Sequence, residues 1–64
     1  MKIGEKYKTR DGSNVFTIFR HNQGTTRPVV AVDSKQRLQN FTNEGHFVDN
    51  KTEHKWDLVE KVHG

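Results

Sequence analysis

The sequence predicts an all-β fold, a small five-stranded antiparallel meander curled into an SH3-like barrel. Two features lead there. The apolar residues of this 64-residue chain come in short runs rich in Val, Ile, Phe and Thr, types that suit a pleated, half-buried surface. Turn-forming residues bound those runs, and no window sustains the period of an amphipathic helix. A chain of this length makes one domain, residues 1–64, with a core so small that it only narrowly offsets the entropy of ordering the backbone.

The first strand is expected within residues 3–9, where Tyr7 stands between Lys6 and Lys8 with Ile3 further back. Asp11-Gly12 follows, a good hairpin signal because glycine accepts the positive φ that such turns need. A two-residue loop there sets Arg10 against Ser13 and Tyr7 against Phe16; a three-residue loop would set Tyr7 against Thr17. Residues 15–19, Val-Phe-Thr-Ile-Phe, are the most strand-like run and the expected central strand. Phe16 and Ile18 point one way, and Val15, Thr17 and Phe19 the other, so both faces carry apolar groups. Which face is buried is left open.

Residues 22–27 are polar and read as a connection, after which Pro28 opens a third strand, Val29-Val30-Ala31-Val32. Residues 33–36 have turn composition, and residues 37–41 supply a fourth strand with Leu38 and Phe41. Asn43-Glu44-Gly45 has the form of a three-residue hairpin loop with Gly45 at the left-handed position, which sets Phe41 opposite Phe47. Residues 50–55 read as a loop or a single helical turn. A short closing strand is expected from Trp56, Asp57, Leu58 and Val59, with Val62 behind it. The expected core is Tyr7, Phe16, Ile18, Val30, Val32, Leu38, Phe41, Phe47, Trp56 and Leu58.

Charge and composition narrow the function classes. Lysine and arginine number 11 against 8 acids, a net charge of +3, but the two signs are interspersed and no basic run marks a nucleic-acid tail. There is no cysteine, hence neither disulfide nor thiolate metal site. The opening residues hold no apolar stretch of signal-peptide length and no window approaches a membrane span, so a soluble, intracellular protein is expected, with no membrane partner. The four histidines, His21, His46, His54 and His63, show no short ligand spacing, and surface roles account for them better than a metal does. Ser13 and Ser34 sit in turn contexts without a glycine-rich elbow, so no catalytic residue and no cofactor are expected. The five glycines are scattered singly, in turns or, for Gly64, at the terminus, and build no phosphate cradle.

Four motifs resemble, in this order, those of a group of small bacteriophage-encoded proteins of unassigned function. They are Tyr7-Lys8-Thr9-Arg10-Asp11-Gly12, Pro28-Val29-Val30-Ala31-Val32, Phe41-Thr42-Asn43-Glu44-Gly45-His46-Phe47 and Asp57-Leu58-Val59. The group's pattern is Tyr-x-Thr-Arg-Asp-Gly, Pro-Val-Val, Thr-x-x-Gly, Asp-Leu-Val. The resemblance spans most of the chain and implies a phage origin and a small β-fold, with no mechanism attached. The chain departs from the pattern in its longer, more basic connection at residues 22–27.

The expected function is that of a phage accessory protein that binds a host protein, such as a defence or nucleic-acid enzyme, in the cytoplasm of the infected bacterial host. Phe19, Arg20, Arg27 and Arg37 are the candidate partner-binding residues. Phe19 is the candidate apolar anchor for a protein partner, and the arginines are the candidate charged contacts. The alternative is a small-barrel nucleic-acid-binding module using the same residues, with Phe19 stacking on bases. An enzyme or metal protein ranks last, and a homodimer through a leftover apolar face stays open.

Overall fold

The structure, a computed structural model, describes residues 1–63. Gly64, with its expected terminal role, lies outside the described residues. Five strands, β1 (Lys6–Thr9), β2 (Val15–His21), β3 (Val29–Asp33), β4 (Leu38–Phe41) and β5 (Leu58–Val62), form a single antiparallel sheet in the order β4-β3-β2-β1-β5. No helix forms among the described residues. The first four strands follow one another as the expected meander. The fifth departs from it, returning to lie beside β1 instead of β4.

Turn chemistry sets the registers. Tyr7 pairs with Phe16 and Lys6 with Thr17, as the shorter of the two loops at Asp11-Gly12 requires. The loop itself is wider than that reading. Thr9 N–H donates to Asn14 O at 3.0 Å, Gly12 N–H donates to Thr9 O at 2.9 Å, and Arg10 N–H turns aside to Asp57 O at 2.8 Å. Asp11 caps the turn by accepting from Ser13 N–H and from the hydroxyls of Ser13 and Thr9. The hairpin at residues 42–46 is the expected one: Thr42 N–H donates to His46 O, Gly45 N–H donates to Thr42 O, and Gly45 has φ +88°. The β3–β4 connection repeats that geometry without a glycine. Asp33 N–H donates to Arg37 O, Gln36 N–H donates to Asp33 O, and Gln36 takes the left-handed position at φ 62°.

The core lies on one face of the sheet. Phe16, Ile18, Val29, Ala31, Phe41 and Leu58 are its buried members, with Met1, Tyr7 and Phe47 packed against them. The Phe16 and Phe41 rings meet edge to face at 5.3 Å, and Phe41 meets Phe47 at 5.8 Å. Three expected core residues are placed differently. Leu38 is 55% exposed, because residues three apart on a strand point to opposite faces and Phe41 takes the inner one. On β3 the inner positions fall to Val29, Ala31 and Asp33, so Val32 lies on the outer face, half-buried; Val30, also outward by register, is nonetheless buried. Trp56 is half-buried outside the core, edge-on to Phe47 at 5.3 Å.

The sheet stays open between its edges, β4 and β5, which do not pair as strands. The hairpin after β4 instead crosses to β5, where Leu58 N–H donates to Gly45 O at 2.8 Å. Asp57 fastens this crossing. Its carboxylate is buried and accepts from Phe47 N–H at 2.9 Å, His54 N–H at 3.0 Å and the Arg10 guanidinium at 3.1 Å. At the other end of the sheet the strand expected from residue 3 begins only at Lys6. Gly4, at φ +92°, turns the chain there and leaves Ile3 exposed.

Candidate binding surface

The inner face is taken up by the core, and the outer face of the sheet displays Phe19 and Arg20, two of the four side chains expected to act in binding. One row crosses all five strands in register: Val62, Lys6, Thr17, Val32 and Leu38. Lys6 Nζ donates to Thr17 Oγ1 at 2.9 Å, which holds the lysine along the row. Beside it stand Lys8 and Val15, with Glu60 next to Lys8 on β5. On the other side the register of β2 against β3 slips. Ile18 pairs with Ala31 and Arg20 with Val30, so Phe19 is an extra residue with no partner of its own.

That bulge is decisive for the site. In an unbroken strand Arg20 would follow Ile18 to the inner face, since alternate residues share a side. A bulge inserts one residue and re-aims the side chains beyond it. Arg20 therefore joins Val30 on the outer face, next to Phe19. Phe19 is 53% exposed, and Arg20 is exposed beside it. The outer face thus presents an aromatic ring, the apolar pair Val32 and Leu38, and the cations Lys6, Lys8 and Arg20 against the carboxylate of Glu60.

Family models, curated proteins and solved structures give no match to this chain.

Of the four candidate residues, the structure brings Phe19 and Arg20 together and sets the other two apart. Arg27 is half-buried. Its Nη1 donates to Phe47 O at 2.9 Å and its guanidinium lies 5.9 Å from the Phe47 ring centre, so it ties the 22–28 connection to the aromatic cluster of Phe47, His54 and Trp56. Arg37 is held by Asp33, with Nη2 to Oδ2 at 2.8 Å and Nε to Oδ2 at 2.9 Å. Arg20 is opposite Val30 and Arg37 is beside Asp33, three residues further along β3, about 10 Å at the usual rise. The residues that sequence reasoning missed are Leu38, Val32, Lys6 and Lys8. The available signal was strict alternation counted outward from Phe41 and Tyr7.

The polar cluster around Asp57 is the other concentration of chemistry-bearing groups. Burial alone would push the Asp57 carboxyl up, but the Phe47 and His54 amides and the Arg10 guanidinium outweigh it and hold the carboxyl below the usual range. His46 Nδ1 lies 3.4 Å from Asp57 Oδ2 and is buried without a hydrogen-bond partner. Both Asp57 oxygens are already committed to the backbone of the crossing, which makes this a fastening. Among the described residues no pocket forms, and no three His, Asp or Glu gather at metal-binding range.

Proposed function

We propose that the chain is a phage-encoded accessory protein that works by binding a host protein in the cytoplasm of the infected bacterium, with no cofactor. Its contact surface is the outer face of β2, β3 and β4. The observation that carries this reading is the bulge that turns Arg20 to the side of an exposed Phe19, on the same face as Val32 and Leu38. An aromatic anchor with an arginine beside it and a rim of cations is the composition of a protein-binding hot spot. The phage origin is supported by the resemblance of the four motifs. In this reading the open sheet acts as an SH3-like barrel, which is supported by the return of β5 to β1 and by the bond from Leu58 to Gly45.

Affinity capture from infected cells with the wild-type chain, Phe19→Ser and Arg37→Ala tests the assignment. A host protein retained by wild type and Arg37→Ala but lost with Phe19→Ser is the expected result. Equal capture by all three ends the reading of this face. Sequence-tolerant nucleic-acid binding is the second reading, favoured by Lys6, Lys8 and Arg20 around an aromatic ring that could stack on bases. It demands a log–log salt slope of about −0.9 per phosphate neutralised. Filter binding of single- and double-stranded DNA and RNA at low salt, with tight binding lost steeply as salt rises, would replace the first reading by the second.

A further inference from the structure

The two edges of the sheet are unequal. β5 is guarded: Glu60 and Lys61 put charge on it, its pairing with β1 is broken by an irregularity, and Leu58 N–H is taken by Gly45 O from the crossing hairpin. β4 has none of these devices. Its four residues, Leu38-Gln39-Asn40-Phe41, include no charge and no proline, and its pairing with β3 runs without a register shift. Natural sheets normally blunt an edge with charge, proline, a bulge or short length, and of these β4 has its four-residue length.

The open groups on β4 can be named. Asp33 N–H donates to Arg37 O, which makes Asp33 and Arg37 a hydrogen-bonded pair. In an antiparallel ladder such pairs alternate with pairs whose amide groups point away from each other. Gln39 and Phe41 therefore bond to Ala31 and Val29, while the N–H and C=O of Leu38 and Asn40 point outward. No backbone bond outside the strands reaches either residue among the described residues, and both are exposed. The next outward residue, Thr42, is already engaged with His46.

We infer that β4 is a self-association edge, pairing antiparallel with β4 of a second copy about a two-fold axis through Gln39. Leu38 then pairs with Asn40 of the other copy, and Asn40 with its Leu38. The four outward groups of each chain are all used, in four hydrogen bonds. A two-fold contact must be self-complementary, and this one is. With no charge on the strand, no like charges meet across the axis, and Arg37 falls opposite an aromatic residue, Phe41, while remaining tied to its own Asp33. The two Leu38 side chains become diagonal neighbours on the outer face, within reach of each other. Each covers part of the other's exposed surface. The result is a continuous ten-stranded sheet whose outer face carries two copies of the Val32–Leu38 pair and of Phe19. This assignment does not depend on the identity of any host partner.

Sedimentation equilibrium of the full chain, up to about 1 mM, the weak end of measurable affinities, reads the outcome directly. A dimer whose fraction rises with concentration is expected, accompanied by slowed hydrogen exchange at the Leu38 and Asn40 amides as it forms. Asn40→Pro removes an outward N–H and should return the chain to a monomer, with Leu38→Lys doing the same by setting two like charges at diagonal positions across the axis. A monomer throughout that range overturns the inference, and leaves the edge to a foreign strand. So does a dimer in which the two wild-type amides exchange no more slowly, or one that survives in a folded Asn40→Pro chain.

Discussion

Gly45 is constrained twice over. Its φ of +88° is a conformation that only glycine adopts cheaply, and a Cβ there would run into Met1 Cε and stand 3.0 Å from the Leu58 carbonyl oxygen. Gly45 O also accepts the Leu58 N–H that ties the hairpin to β5. Gly45→Val is therefore expected to destabilise by at least about 1–3 kcal/mol through backbone strain and displacement of that contact, measured as a shift in the urea midpoint. Carboxylates supply a second residue-scale effect. The Glu5 carboxyl is lowered to about 2, first by the hydrogen bond from Lys61, then by Lys2 N–H and the Tyr7 hydroxyl. The Asp57 carboxyl is also lowered, against its own burial, by the backbone and Arg10 donors. Both groups bind protons more weakly folded than unfolded, so their contribution is complete above the unfolded value of about 4 and is lost as pH falls through the folded one. Urea midpoints should drop between about pH 5 and about pH 2, and Asp57→Asn should flatten that drop. An unchanged slope in the variant would remove Asp57 from the account.

At the scale of elements, the two type-related hairpins make a controlled comparison. Both place a residue in the left-handed position before the last hairpin residue, Gly45 in one and Gln36 in the other. Gln36 carries a side chain where the geometry disfavours one, while the Asp33 carboxylate compensates by accepting from Lys35 N–H, Arg37 N–H and the Arg37 guanidinium. Gln36→Gly keeps those bonds and removes the strain, and should stabilise by up to about 1 kcal/mol. Thermal and urea unfolding would show a rise in midpoint; a fall would mean that the unfolded-state entropy of glycine outweighs the strain. Sequence reasoning saw the Gly45 turn because glycine marks it. It saw only turn composition at residues 33–36, because glutamine carries no signal of a positive φ.

The whole molecule rests on a core of few residues, and their ranking follows from where the sheet curls. Phe41 is fully buried and bridges Phe16 and Phe47, whereas Trp56 covers Phe47 from outside. Phe41→Ala should cost about 3–5 kcal/mol, a large share of the roughly 3–10 kcal/mol available to a chain of this size, while Trp56→Ala should cost about 1–2 kcal/mol. Circular dichroism with urea titration separates the two. Equal losses would place Trp56 in the core after all.

What the sequence alone determined was local: the approximate strand runs, the left-handed turn at Gly45, and the division of residues 15–19 into two faces; it narrowed the partner of Tyr7 to Phe16 or Thr17, and the fold chose Phe16. Each follows from side-chain alternation or turn stereochemistry, which act over a few residues. What the tertiary structure decided was which face is inside, where β5 goes, and which cations are displayed. Phe16 and Ile18 win the inner face because Val29, Ala31 and Phe41 arrive there from other strands. Leu38, with the same hydrophobicity as a core residue, is left outside by the parity that buries Phe41. The bulge at Phe19 leaves no mark in composition, and it alone moves Arg20 to the outer face. Arg27 and Arg37 looked equivalent to Arg20 in the chain, yet Phe47 and Asp33 claim them in the fold. Alternation is a property of one strand, but burial and pairing are properties of strands brought together, so they are decided only when the sheet forms.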